Sequence, residues 1–348
     1  MRTRAASNVK RCCLAIAVSG LARAAGEGSS STSIFAPAST PAKSIFDLSV
    51  LVLIVTGTIF VIVASMLVYA AVKYRSRPGD ERQEPLQIYG SDQLELAWTV
   101  IPVLIVIVLF MTSARIIHAV QDAGRPPGTL EVTVIGHQFW WEYRYPKYGF
   151  VTANELHVPV SDPSHPTPTF LQLLSADTDH SFWVPRLAGK TDLIPNHPNN
   201  TWIDPHQPGL FLGQCAQYCG TQHAKMLLRV VVDTQADFDK WVREQQQPAK
   251  ADASLSPEAE EGKSVFNRTA CINCHTISGS VANGRFGPDL THLMNRETIG
   301  SGVVQNNAEN LRAWILNPAT FKPGVLMPAM NLTDRELNAV TAYMQTLR

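Results

Sequence analysis

Two long apolar runs near the N-terminus restrict this chain more than any other feature. Phe46 to Val72 carries Asp47 at its start and no charge after it, and Leu94 to Ala114 is nearly as apolar beyond Glu95. Each reaches the ~20 residues that a helix needs to cross a bilayer. Two buried core helices could share this composition, but unbroken apolarity over such lengths favours membrane spans. Pro102 falls near the start of the second run, where neighbouring groups can satisfy the carbonyl it frees. The segment between the runs carries Lys73, Arg75, Arg77 and Arg82. The positive-inside rule therefore places the loop 73–93 in the cytoplasm. Residues 46–120 read as a helical hairpin, with residues 25–45 and everything after about Gln121 on the extracytoplasmic side.

The first residues agree with that direction. Arg2, Arg4, Lys10 and Arg11 form a basic region, "CCLAIAVSGLA" an apolar core, and Ala22-Arg23-Ala24 a small-x-small cleavage site. Residues 1–24 thus read as a secretory signal peptide, with a retained N-terminus as the alternative. At 348 residues the chain has room for two or three domains. Its 29 Lys and Arg balance 29 Asp and Glu, so charge gives no support for a nucleic-acid partner.

Residues 129–246 carry strand signals. "TLEVTVIG", "FWWEYRY", "ELHVPV", "TFLQLLSA" and "LLRVVV" are short, rich in β-branched or aromatic residues, and separated by Pro, Gly, Asn and Asp. Such spacing suggests an antiparallel sandwich or barrel. "QADFDKWVREQQQ" reads as a short amphipathic helix, and 247–256 as a polar linker. Residues 257–348 change period. Ser256 caps a helix with Pro257 in its first position. Thr333 and Glu336 form a capping box for the last one. This all-α region of roughly ninety residues is small enough to need a cofactor or other staple.

That staple is legible. "CINCH", Cys271 to His275, is the C-x-x-C-H signal of covalent c-type haem attachment. Cys271 and Cys274 each add to one vinyl group, and His275 reaches the iron. A redox C-x-x-C would expect a βαβ setting, whereas this one is helical. "KPGVLMPAMN" offers Met327 and Met330 as a second axial ligand, and a thioether there raises the potential. His292 is a weaker rival and reads as a solvated loop histidine. The region resembles class I cytochromes c, and the resemblance implies Met327 as the axial ligand, followed by the terminal helix. It also implies, through "GPDL", that the Pro288 carbonyl accepts the Nδ1 proton of His275 and fixes the ring.

"GQCAQYCGTQHAKM" packs Cys215, Cys219, His223 and Met226 into one stretch. A disulfide would close a very short loop, and zinc has little use for a thioether. Thiolate, imidazole and thioether together point to copper. A blue mononuclear site uses one cysteine; the second accommodates a second copper. The stretch resembles the binuclear CuA site of cytochrome c oxidase subunit II, and "ELAWTVIP" and "GHQFWWEYRY" resemble that family's second span and aromatic strand. Phe46 to about Trp241 share the likeness, and the appended haem domain matches the caa-type branch. The resemblance implies a cupredoxin-like CuA domain in which Cys215 and Cys219 bridge two coppers and His180, in "DTDHSFWVPRL", and His223 bind one each. It implies Met226 as a weak ligand and the backbone carbonyl of Gln217 as another. The family commonly has Glu where Gln217 stands. A neutral amide binds a hard cation less well, which weakens a magnesium site at the junction with subunit I.

The same likeness suggests that electrons enter near Trp140 and Trp141, since Phe139 occupies the position where the family often has Trp. It suggests Glu95 as the mouth of a proton path, consistent with an ionisable residue at a membrane edge. The implied function is an electron-transfer subunit of a haem–copper oxidase in a bacterial-type plasma (inner) membrane, with both metal domains periplasmic. The implied partners are oxidase subunit I, subunit III, and a donor such as a cytochrome c or quinol:cytochrome c reductase. The alternatives are a CuA-bearing nitric oxide reductase subunit and a membrane-anchored copper carrier.

Overall fold

The computed structural model describes residues 32–75, 87, 89–121, 124–249 and 255–348. The expected signal peptide, much of the cytoplasmic loop and residues 250–254 of the linker lie outside these. The chain divides into two compact units, residues 43–124 and the remainder.

The first unit contains helices α1 (Thr40–Lys73) and α2 (Asp92–Gln121). Helix α1 starts at Thr40, ahead of the apolar run at Phe46, because the intervening residues continue the helical path and Pro41 suits a first turn. Both helices are apolar all round. Phe60, Leu67, Ile101 and Phe110 are more than half exposed, a pattern that calls for lipid cover. Threonine hydroxyls in the spans are internally satisfied. Thr56 donates to the Val52 carbonyl, Thr58 to Ile54 and Thr112 to Val108, each at 2.8 Å.

In the second unit, ten strands build a β sandwich: β1 (Leu130–His137), β2 (Trp140–Tyr145), β3 (Phe150–Ala153), β4 (Glu155–Pro159), β5 (Thr169–Ser175), β6 (His180–Trp183), β7 (Thr191–Leu193), β8 (Asn199–Ile203), β9 (Gly209–Cys215) and β10 (Leu227–Asp233). One sheet runs β3-β2-β1-β5-β8, the other β4-β10-β9-β6-β7. Strand β10 alternates cleanly: Leu228, Val230 and Val232 are buried while their neighbours are partly exposed. The expected antiparallel arrangement holds for most pairs, but β1 with β5 and β4 with β10 run parallel. Crossovers between sheets produce these pairs, and strand composition does not report them. Helix α3 (Gln235–Gln245), capped by Thr234, turns Phe238 and Val242 into the sandwich core.

The cytochrome-like region has α4 (Pro257–Arg268), a helical turn Cys271–Cys274, α5 (Ala308–Leu316) and α6 (Asp334–Met344). Ser256 caps α4 with Pro257 at its start, and Thr333 with Glu336 forms the capping box of α6, both as expected. Helices α4 and α6 pack at Gly262, opposite the Ala339 backbone, and bury Val265, Phe266, Leu337 and Val340.

Candidate metal and haem centres

The copper candidate lies where β6, β9 and the loop after β9 converge. Strand β9 ends at Cys215 and β6 begins at His180. Phe182 and Cys215 are Cα partners, and the sheet thereby brings His180 and Cys215 together, 35 positions apart. A Cβ on Gly213 would stand 2.2 Å from the Trp183 carbonyl, so the strand needs glycine for its approach to β6.

The donors converge tightly. Cys215 Sγ lies 3.9 Å from Cys219 Sγ, 3.9 Å from His180 Nδ1 and 3.1 Å from the Gln217 carbonyl. Cys219 Sγ lies 3.7 Å from His223 Nδ1 and 3.9 Å from Met226 Sδ. His180, Cys215, Cys219 and Met226 are buried, and His223 is half-buried. His180, Cys215 and Cys219 form the His/Cys/acid cluster able to hold a metal among the described residues.

Asp177 prepares the histidine. Its carboxylate accepts from His180 Nε2 at 2.8 Å and from the Gln138 N–H at 2.7 Å. That fixes the proton on Nε2 and turns Nδ1 toward the cysteines. The Cys219 thiol beside it lowers the Cys215 pKa, against its burial, and His180 and the backbone around it help. The same proximity raises that of Cys219. A thiolate beside buried soft donors fits a copper pair: the cation replaces the shared proton.

The haem candidate is equally defined. Cys271, Cys274, His275, Met327 and Met330 all line one cavity of about 190 Å³. The Pro288 carbonyl accepts from His275 Nδ1 at 2.8 Å, so Nε2 remains for a metal. Burial lowers the His275 pKa against the Pro288 carbonyl, favouring the neutral, ligating imidazole. A Cβ on Gly287 would stand 2.7 Å from the His275 ring, so this cradle also needs glycine. An apolar cavity with two thiols and an oriented imidazole fits a covalent haem.

Among the remaining candidates, His292 and Trp141 fall differently from their expected places. His292 is buried, not solvated: its Nε2 contacts the Gln247 carbonyl at 3.0 Å, and it does not line the cavity. Trp141 and Trp140 diverge. Trp141 is fully buried, edge-on to His180 at 6.1 Å, which removes it as a contact for an outside donor. Trp140 is half-buried, stacks on His137 at 4.1 Å and lines the haem cavity. Strand alternation explains the split. Gln217 is exposed, with its carbonyl turned to Cys215. Glu95 sits in the first turn of α2. Sequence reasoning missed Gln138, whose side-chain amide donates to the Cys219 carbonyl at 2.6 Å and which also lines the haem cavity. No local pattern marks it.

Three family matches follow the chain in order. Residues 28–116 match the cytochrome c oxidase subunit II transmembrane domain, 163–234 its periplasmic domain, and 259–348 cytochrome c. The chain is 33% identical over 317 residues to cytochrome c oxidase subunit 2 of Alkalihalophilus pseudofirmus (strain OF4), covering 90% of each. It is 34% identical over 292 residues to that of Bacillus sp. (strain PS3), covering 79% of this chain and 80% of the relative. It is 29% identical over 344 residues to that of Bacillus subtilis (strain 168), covering 93% and 94%.

Proposed function

The chain belongs to the cytochrome c oxidase subunit II family, and on that premise we propose that it takes electrons from an outside donor at its haem domain and delivers them, through its copper domain, to the catalytic subunit. It is an electron-transfer subunit of a haem–copper oxidase, it partners subunit I, and two spans anchor it in the membrane. Its cofactors are CuA and haem c. Bound there, they exchange single electrons with little change of geometry.

The convergence of six donors from β6, β9 and the following loop carries the reading. Cys215, Cys219, His180, His223, Met226 and the Gln217 carbonyl would hold the copper pair, with the two thiolates as its principal donors and Met226 as a weak one. Cys271 and Cys274 would hold the haem by thioethers, His275 and Met327 would ligate its iron, and Pro288 would orient His275. Trp140, which lines the haem cavity, is the aromatic at which electrons enter the copper domain. Glu95 opens a proton path. Gln217 would bind copper through its backbone, and its neutral side chain would leave magnesium without its usual anion. Subunit III and a cytochrome c or a quinol:cytochrome c reductase complete the proposed assembly, in a bacterial-type plasma membrane.

The test is the purified complex. Oxygen consumption with a reduced donor, a mixed-valence near-infrared band and a haem that stays with this chain on denaturation are expected. Consumption of nitric oxide in place of oxygen would move the chain to the reductases.

A further inference from the structure

The copper and cytochrome domains meet across a buried, polar surface. Glu155, at the start of β4, is 3% exposed and belongs to the copper domain. Its carboxylate accepts from the Glu297 N–H at 3.0 Å, the Thr298 N–H at 3.0 Å and the Thr298 hydroxyl at 2.9 Å. All three donors are in the cytochrome domain. Arg229, its Cα partner on β10, lies 3.3 Å away and also pairs with Glu297. Undocked, Glu155 would exchange those three hydrogen bonds for water, so they are charge-assisted bonds made only in the docked state, where loss of any one would leave a buried carboxylate under-satisfied.

Lys322 makes the converse contact. It belongs to the cytochrome domain and is 1% exposed. Its ammonium donates to the Phe139 carbonyl of the copper domain and to the Gly300 carbonyl of its own, both at 2.9 Å. Burial pulls its pKa down to about 7, so those carbonyls offset a real desolvation cost. Leu227 and Ser301 add a reciprocal pair of bonds, at 3.2 and 3.0 Å. Gly302 sits at φ +83°, and a Cβ there would stand 3.1 Å from that of Leu227.

The segment that Lys322 holds is the one between the two centres. Gln138, Phe139 and Trp140 line the haem cavity, and the Gln138 amide bonds the Cys219 carbonyl.

We propose that Glu155 and Lys322 are positioning residues for electron transfer within the chain: they clamp the cytochrome domain to the copper domain, so that the Gln138–Trp140 segment separates the centres by one fixed gap. The proposal rests on the cofactor reading above. The step moves one electron, oxidising the haem iron by one and reducing the copper pair by one, with no atom transferred. Transfer then needs no tethered search through the 247–256 linker, which a free domain would require.

In the intact complex, haem is reduced by a flash and oxidation of its absorbance band followed. The expected rate does not change with added sucrose or salt, and amide hydrogen exchange at Glu297 and Thr298 is slow. Glu155→Gln speeds that exchange by about tenfold, the worth of one charge-assisted bond. Adding Lys322→Met slows the electron step by about tenfold or more and makes it viscosity-dependent, with both metal bands unchanged. A wild-type rate that falls in proportion to viscosity overturns the proposal, as does fast exchange at the two amides; neither needs a folded variant. Missing copper or haem bands in the wild-type complex would overturn the cofactor reading itself, and the exchange data distinguish that from failure of the clamp.

Discussion

Gly262→Ala pits helix propensity against packing, and the structure decides which wins. A Cβ at this position would stand 1.9 Å from the Ala339 carbonyl oxygen, 2.4 Å from its carbon and 2.9 Å from the Val340 nitrogen. Ordinary contact begins near 3.4 Å, so α4 and α6 must part by about 1.5 Å (3.4 − 1.9). A gap of ~0.5–1 Å already forfeits a quarter to a half of the attraction between packed atoms. The side chains that would loosen are Val265, Phe266, Leu337 and Val340, all 2% exposed or less. Overpacking costs ~1–3 kcal/mol and more where backbone blocks relief, as here. Alanine returns about 1 kcal/mol of helix propensity. The upper end of that cost applies, because the opposing atoms cannot rotate away, so the net loss is about 2 kcal/mol. For a domain of this size that lowers Tm by about 8–16 °C. The assay is thermal unfolding of the full chain in detergent, with the haem domain followed at its Soret band and the copper domain at its own absorbance. The haem transition should fall while copper absorbance persists to higher temperature. An unchanged or raised haem-domain Tm would show that propensity wins, and would refute the close crossing of these helices.

Three further outcomes are expected. Met327→Leu should lower the haem reduction potential, through loss of a thioether that favours reduced iron, while Met330→Leu leaves it in place; potentiometry giving the reverse order would assign Met330. Burial acts to raise the Glu142 pKa, but bonds from His137 and Arg144 outweigh it and hold the group below 4.5. A depressed folded value means stability that is present above about pH 4.5 and lost as pH falls through the folded value. Glu142→Gln should therefore lower the copper-domain Tm at neutral pH, by about 1–2 kcal/mol in stability, with the deficit shrinking in acid; a deficit constant across the acid range would contradict the linkage. Glu95→Ala should slow oxidase turnover while both metal spectra stay intact, and unchanged turnover would remove Glu95 from the proton path.

Local pattern sufficed where the physics is local. The two spans follow from runs of apolar residues that only lipid can cover, and the helix caps at Ser256 and Thr333 from side chains that reach their own first turn. The motifs around Cys215 and Cys271 are similarly short, because one loop holds most of each proposed ligand set. Strand β9 was illegible as a strand: its glycines look like turn residues until Gly213 is seen against the Trp183 carbonyl. His180 carries no metal spacing in its own stretch. Sheet pairing sets it beside Cys215, and Asp177 turns its ring. His292, the division between Trp140 and Trp141, and the parallel strand pairs likewise depend on partners far along the chain. So do Glu155 and Lys322, an unremarkable acid and base in sequence. The residues and the family likeness they carry pointed to the anchor, to two proposed sites and to the chemistry of each. The tertiary structure alone decided which residues join the two domains, because buried charges declare their partners only when two surfaces meet.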